Sequence, residues 1–277
     1  MPRIAGRQRG VVTFDLWHTL LDLAPFAESE YMRRQWSLGG ETVAEAPPGP
    51  LAAGLERPMD PFDAFRRSYD HAVAAAREGA TVTPAEQLRR AASWAARRPN
   101  PERYEERLRR LVDATPFRAV PRAKEVLESL RTGGYRIGLI SNTIGEPGRF
   151  FRPTLDKYGL TRSFDAFVWS DEHPWTKPAP QLFRFALDAL RSNAADAVHI
   201  GDGASDILGA QGVGYRATIL FEGSTQYAPE YRALFASTPA EPLTPTHRAR
   251  RLEEIPGLVD RELQGRPAEA PQPPERP

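Results

Sequence analysis

A chain of 277 residues, 40% of them hydrophobic, carries enough apolar surface for one large α/β domain with an insertion, or for two modest domains. Its formal net charge of +1 supplies no electrostatic drive toward nucleic acid or an anionic membrane, and the absence of cysteine excludes disulfides, thiolate metal sites and cysteine nucleophiles. No stretch approaches the roughly 18 apolar residues of a membrane span, and the short basic start MPRIAGRQRG runs into a strand pattern, not a signal sequence, so a cytoplasmic location is expected.

The first strong element is a strand over Val11–Phe14, continuous in β-formers as in the centre of a parallel sheet, and it runs into Asp15. A helix is expected over residues 25–38, a loop over 39–61, and helices over 61–77, 83–97 and 101–112. The second of these three opens on Thr83-Pro84-Ala85-Glu86, the pattern of a capping box. From residue 121 the pattern changes to alternation. A helix over 121–131 precedes a strand over 136–140 that stops at Ser141. A strand over 164–169 is followed by a helix over 178–191, then by a strand over 198–200, a helix from Ser205 and a last strand over 217–221. Alternating strands and helices predict an α/β, Rossmann-like three-layer parallel sheet. Residues 22–118 hold helices and no convincing strand, so they are expected to form an all-helical cap inserted into a core made of residues 10–21 and 119–225. Residues 239–277 read as a Pro-rich C-terminal extension, partly disordered, ending in EAPQPPERP.

Ligands of parallel α/β sheets collect at the carboxyl ends of the strands. Asp15, Ser141 and Gly201-Asp202 stand at such ends, with Asp206 four residues beyond Asp202 and Lys177 before a helix. A carboxylate nucleophile, a hydroxyl, an ammonium and an acidic pair suit phosphoryl transfer to Asp15, where negative charge must be neutralised. Hard carboxylate oxygens suit Mg²⁺. Only Lys124, Lys157 and Lys177 among the 37 basic residues are lysines, so a retained lysine at position 177 is pointed.

VVTFDLWHTL resembles the first motif of the haloacid dehalogenase-like hydrolase superfamily, GLISNT the second, SDEHPWTKPAPQLFRFAL the third and HIGDGASDILGAQGVGYRATIL the fourth. The resemblance covers residues 11–21 and about 119–221, in the family's order. It implies a Mg²⁺-dependent hydrolase of a small phosphorylated metabolite. Asp15 would be the nucleophile and a metal ligand, the carbonyl of Trp17 and the carboxylates of Asp202 and Asp206 would complete the metal set, and Ser141, Asn142 and Lys177 would hold the phosphoryl group. One position departs from the pattern. Phosphatases of the family carry a second aspartate two residues after the nucleophile as general acid, and here Trp17 stands there. Two alternatives follow: a 2-haloacid dehalogenase-like hydrolase, which also has an aromatic residue at that place, or a catalytically impaired binding or regulatory relative. His18 is expected to face away from the site by strand alternation, His71, His199 and His247 are read as structural, and Arg33 and Arg34 are weak candidates for gripping an anion. His173 and Trp175 lie near the expected mouth of the site. Substrate identity and oligomeric state are left open by the sequence.

Overall fold

The computed structural model describes residues 9–23, 27–223 and 242–264. Strand β1 (Val11–Phe14) lies at the centre of a six-stranded parallel sheet, between β4 (Arg136–Ser141) and β6 (Ala197–Gly201). Outside these stand β5 (Ala166–Trp169) on one side and β7 (Ala217–Phe221) then β8 (His247–Ala249) on the other. The register places Phe14 beside both Leu139 and Ile200, so chain neighbours of β1 diverge to opposite sides at its carboxyl end. That divergence opens a crevice where Asp15 stands.

Alternation along β1 explains the layers. Val12 and Phe14 join the core formed with α5 (Ala123–Thr132) and α9 (Ile255–Leu263), whereas Val11 joins Leu182, Phe183 and Ala186 of α7 (Pro180–Ala189) and Ala210 of α8 (Ala204–Val213). The expected three-layer α/β fold is the observed one.

Between β1 and β4 the chain builds α1 (Ala27–Ala44), α2 (Pro61–Arg77), α3 (Pro84–Trp94) and α4 (Pro101–Ala114). Local chemistry starts these helices: Asp60 accepts hydrogen bonds from the amides of Phe62 and Asp63, Thr83 and Glu86 form a reciprocal capping box, and Asn100 accepts from Arg103. Helix α1 runs six residues beyond the expected end at Leu38, through Gly39 and Gly40. Packing overrides propensity here. A Cβ on Gly39 would lie 2.2 Å from the Phe65 ring and one on Gly40 2.3 Å from that of Phe62, so the two glycines let α2 sit directly on α1.

Two further differences separate structure from expectation. A two-stranded antiparallel ribbon of β2 (Leu21–Asp22) and β3 (Arg118–Ala119) ties the two ends of the helical insertion together. Strands of two residues carry no periodic signal to read. The Pro-rich extension is also more structured than its composition implies. Its described part supplies β8, paired in parallel from Ile219–His247 to Phe221–Ala249, and α9, whose Ile255 and Val259 are fully buried. Burying side chains of that size contributes roughly 1.5–3 kcal/mol each, enough to hold a short segment against its polar composition. Residues 239–241 and 265–277 of that extension lie outside the described residues. Among the described residues no helix is long and apolar enough to cross a membrane.

Candidate active site

The crevice at the end of β1 opens into a cavity of about 460 Å³. Its floor is a charge cluster. The Lys177 ammonium donates to Asp15 and, at 2.6 Å, to Asp206 Oδ1, and all three side chains are buried. Asp15 is fixed by its amide, which donates to the Ile200 carbonyl at 2.8 Å, and Asp206 by its position in the first turn of α8, where the Gly203 amide donates to Oδ2 at 3.1 Å. Lys177 is fixed by Asn142. The Lys177 amide donates to Asn142 Oδ1 at 2.8 Å, and Asn142 Nδ2 donates to the Lys177 carbonyl at 3.0 Å.

Burial and mutual charge set the protonation pattern. Burial raises Asp15, assisted by the charge of Asp206 and opposed by Lys177. Burial raises Asp202 further, with Asp15 and Asp206 as added like charges. Asp206 goes the other way: the Lys177 charge and the His199 imidazole overcome its burial and hold it at about 2. Burial alone would lower Lys177, but the paired carboxylates raise it, so it is an ammonium at any ordinary pH.

Carboxylate oxygens of Asp15, Asp202 and Asp206 lie within 4.8 Å of one another, one ligand atom each. One ammonium for three converging carboxylates leaves the cluster short of positive charge, and the oxygens present are the donors a small hard divalent ion prefers. The donor set therefore fits Mg²⁺.

Not every expected residue reaches the cavity. Asn142 and Trp17 line it along with Asp15, Lys177, Asp202 and Asp206. Ser141 is fully buried at the end of β4, its hydroxyl 3.4 Å from the Asn142 carbonyl, and is not among the lining residues; Thr143, two residues on, is. Asn142 uses its amide on the Lys177 backbone, which makes it a clamp for the lysine. The Trp17 ring packs edge-on against Phe151 at 4.7 Å and against Phe117 at 5.5 Å, and Phe117 in turn meets Tyr31 of α1 at 5.5 Å. Arg33 and Arg34 are exposed and paired with Glu30, and His173 packs on Phe185 at 4.2 Å; none of the three lines the cavity.

His18 departs from the alternation argument. The chain does not continue extended past Asp15: the amides of Leu20 and Leu21 both turn back to the Leu16 carbonyl, and His18 adopts φ 55°. The imidazole thereby faces the cavity, buried, with Nδ1 3.2 Å from Asp22 and Nε2 2.9 Å from Glu28. Burial would lower it, but these two carboxylates and the charge of Asp202 raise it to about 10, so it is a cation. His199 is also drawn in, joining Thr13 Oγ1 at 2.8 Å to Asp206 Oδ1 at 3.1 Å beneath the floor.

The wall facing that floor comes from α1 and the loop after β4. Glu28, Tyr31, Met32 and Gln35 line the cavity at helical spacing, joined by Tyr69 of α2 and by Ile144, Gly145 and Glu146. That stripe on α1 was readable as one face, but nothing in the sequence joined it to Glu146.

A model of the haloacid dehalogenase-like hydrolase family matches residues 10–214. Among curated proteins, the glyceraldehyde 3-phosphate phosphatase of Pyrococcus abyssi is 36% identical over 109 residues, 38% of this chain and 43% of that protein. A phosphoglycolate phosphatase of Cereibacter sphaeroides is 33% identical over 110 residues, 40% and 48% of the two chains. The chain thus spans under half the length of the curated relatives it matches. Solved structures share the fold over nearly the whole length. A phosphatase from Thermococcus onnurineus superposes with a TM-score of 0.54 at 19% identity over 92% of this chain and 99% of that one. The L-2-haloacid dehalogenase of Xanthobacter autotrophicus does so with 0.56 at 18% identity over 90% and 98%. One backbone serves both kinds of chemistry, so side chains must distinguish them.

Proposed function

The chain belongs to the haloacid dehalogenase-like hydrolases, and on that premise we propose that it is a phosphatase that releases phosphate from a small phosphorylated metabolite through an aspartyl-phosphate on Asp15. The observation that carries this reading is the charge-paired floor: Lys177 suspended between Asp15 and Asp206, with Asp202 converging on the same point. A dehalogenase needs a nucleophilic carboxylate and at most a base for its hydrolytic water, whereas three converging carboxylates form a donor set for a divalent ion that it does not require. In this reading residues 10–21 and 119–225 carry the chemistry, and residues 22–118 are the cap that selects the substrate.

Asp15, the carbonyl of Trp17 and Asp202 would hold Mg²⁺, with Asp206 behind them. When bound, the ion neutralises charge between the attacking carboxylate and the phosphoryl oxygens. Asp15 attacks phosphorus as the bond to the alcohol oxygen breaks, and the departing alkoxide takes its proton from solvent water. Water then attacks the phosphorus of the aspartyl-phosphate, releasing phosphate and restoring the carboxylate. Lys177 keeps its charge throughout and faces the phosphoryl oxygens, while Asn142 holds the lysine backbone in place. Trp17 carries no acid for the leaving alcohol, so turnover should rise steeply as that alcohol becomes more acidic.

The test is phosphate release from para-nitrophenyl phosphate and a panel of phosphorylated metabolites, with Mg²⁺ and with chelator, and with Asp15→Asn as control. Release that needs both the metal and Asp15 supports the reading. Halide release from a 2-haloacid that persists in chelator would replace it with the dehalogenase one, and a folded protein inert toward both classes would identify a non-catalytic relative.

A further inference from the structure

The wall opposite the catalytic floor has a chemistry of its own. Glu146, 8% exposed, stands in the loop after β4, and its carboxylate accepts a hydrogen bond from Gln35 Nε2. The Tyr31 hydroxyl lies beside it, and Tyr31 and Tyr69 both line the same cavity. No ion pair among the described residues reaches Glu146. Burial, with the charge of Asp171 added, raises it to about 7 against the pull of Tyr31 and Gln35.

Positive charge elsewhere in the cavity is already engaged. Among the described lining residues the cations are Lys177, held by Asp15 and Asp206, and His18, held by Asp22 and Glu28. In a chain that uses arginine for nearly all its basic positions, no arginine lines the described cavity. A substrate whose released alcohol carried a carboxylate or a second phosphate would meet a buried carboxylate there and no cation. An ammonium would meet a carboxylate beside two tyrosines, side chains that together suit an organic cation.

We propose that the far end of this cavity, formed by Glu146, Gln35, Tyr31 and Tyr69, binds a protonated amine, and that the substrates are phosphate monoesters of small amino alcohols. This inference rests on the phosphatase reading and names the leaving group for it. It sets the chain apart from relatives named for phosphoglycolate, whose leaving group is an anion.

Binding and turnover are measured separately. Calorimetric titration of Asp15→Asn with Mg²⁺ compares phosphoethanolamine, glycerol 1-phosphate and 2-phosphoglycolate, and steady-state phosphate release from the intact protein compares the same three. Phosphoethanolamine should bind tightest and phosphoglycolate weakest, with a gap of about tenfold or more between these two. Glu146→Gln should shrink the advantage of phosphoethanolamine over glycerol 1-phosphate toward unity. Equal affinities, or a preference for phosphoglycolate, overturn the inference whatever the phosphatase activity. So does a Glu146→Gln variant that weakens all three ligands equally, because Glu146 would then be only a latch for Gln35. Amine-selective binding without any Asp15-dependent phosphate release would keep this site and remove the phosphatase reading instead.

Discussion

The floor and the facing wall of the cavity are built on opposite electrostatic plans. The floor brings three carboxylates together beside one ammonium at the ends of parallel strands, with Lys177 bonded to Asp15 and Asp206 and with Asp206 held further by the Gly203 amide and the His199 imidazole. The wall sets a single buried carboxylate among aromatic and amide groups on α1, α2 and one loop, with no described cation beside it. On the proposed reading the floor would stabilise charge that changes during a reaction, and the wall would read a charge that does not change, so that catalysis and selection would be separated in space within one cavity.

Variants of each side should break this contrast in different observables. The largest effect belongs to the floor: Asp15→Asn should lower turnover by about 10⁴-fold or more with Mg²⁺ affinity reduced, as steady-state kinetics and calorimetry would show. Lys177→Met comes next. It leaves the buried carboxylates of Asp15 and Asp206 without their ammonium and should cost about 3–5 kcal/mol in a urea titration at neutral pH. A loss below about 1 kcal/mol would mean that the carboxylates are already neutral without the lysine.

Glu146→Gln should act through pH. Burial raises this carboxyl from 4.5 to about 7, so between those values the folded protein keeps a proton that the unfolded chain has released. Native stability therefore falls as pH rises through that window and levels off above it. Glu146→Gln lacks this loss and should gain about 3 kcal/mol relative to the parent protein between pH 4.5 and 8. Parallel stability curves for the two proteins would show that Glu146 carries its charge in the folded protein at no energetic cost from burial. The smallest effect is at the seam between the two sides. Trp17→Asp gives up aromatic contacts with Phe117 and Phe151, costing about 2 kcal/mol, and should raise turnover about tenfold on poor leaving groups while leaving para-nitrophenyl phosphate nearly unchanged. An unchanged rate on both would show that proton supply does not limit turnover.

The two sides also differed in how far they could be read from the sequence. Asp15, Asp202 and Asp206 were legible because parallel-sheet topology sends the ends of β1 and β6 to one edge, and Lys177 because it stands just before the helix that follows β5. His18 was misplaced because alternation was carried past the point where two amides turn back to Leu16. His199 looked structural because its partner, Asp206, is reached only when α8 folds back over β6. Ser141 stood at the right strand end, but strand position does not say which way a hydroxyl turns. The wall was nearly invisible. Its residues come from three segments joined only by tertiary packing, and Glu146 sits in a loop with no pattern of its own. The same reason hid β8, a three-residue edge strand within Pro-rich surroundings.

The adjacent glycines of α1 bear on the breadth of what the cavity admits. Tyr31, Gln35 and Gly39 follow one another at intervals of four residues along the same stripe of the helix, so the two cavity-lining side chains and the contact with Phe65 share one rigid rod about 12 Å long. The missing Cβ atoms act as a gauge block: they set the gap between α1 and its neighbour, and through it the depth of the chamber two turns away. A single methyl at residue 39 or 40 would tilt that rod and resize the chamber without touching any group that meets the substrate. If this cavity selects the substrate as proposed, its specificity is adjustable from a place that no ligand reaches.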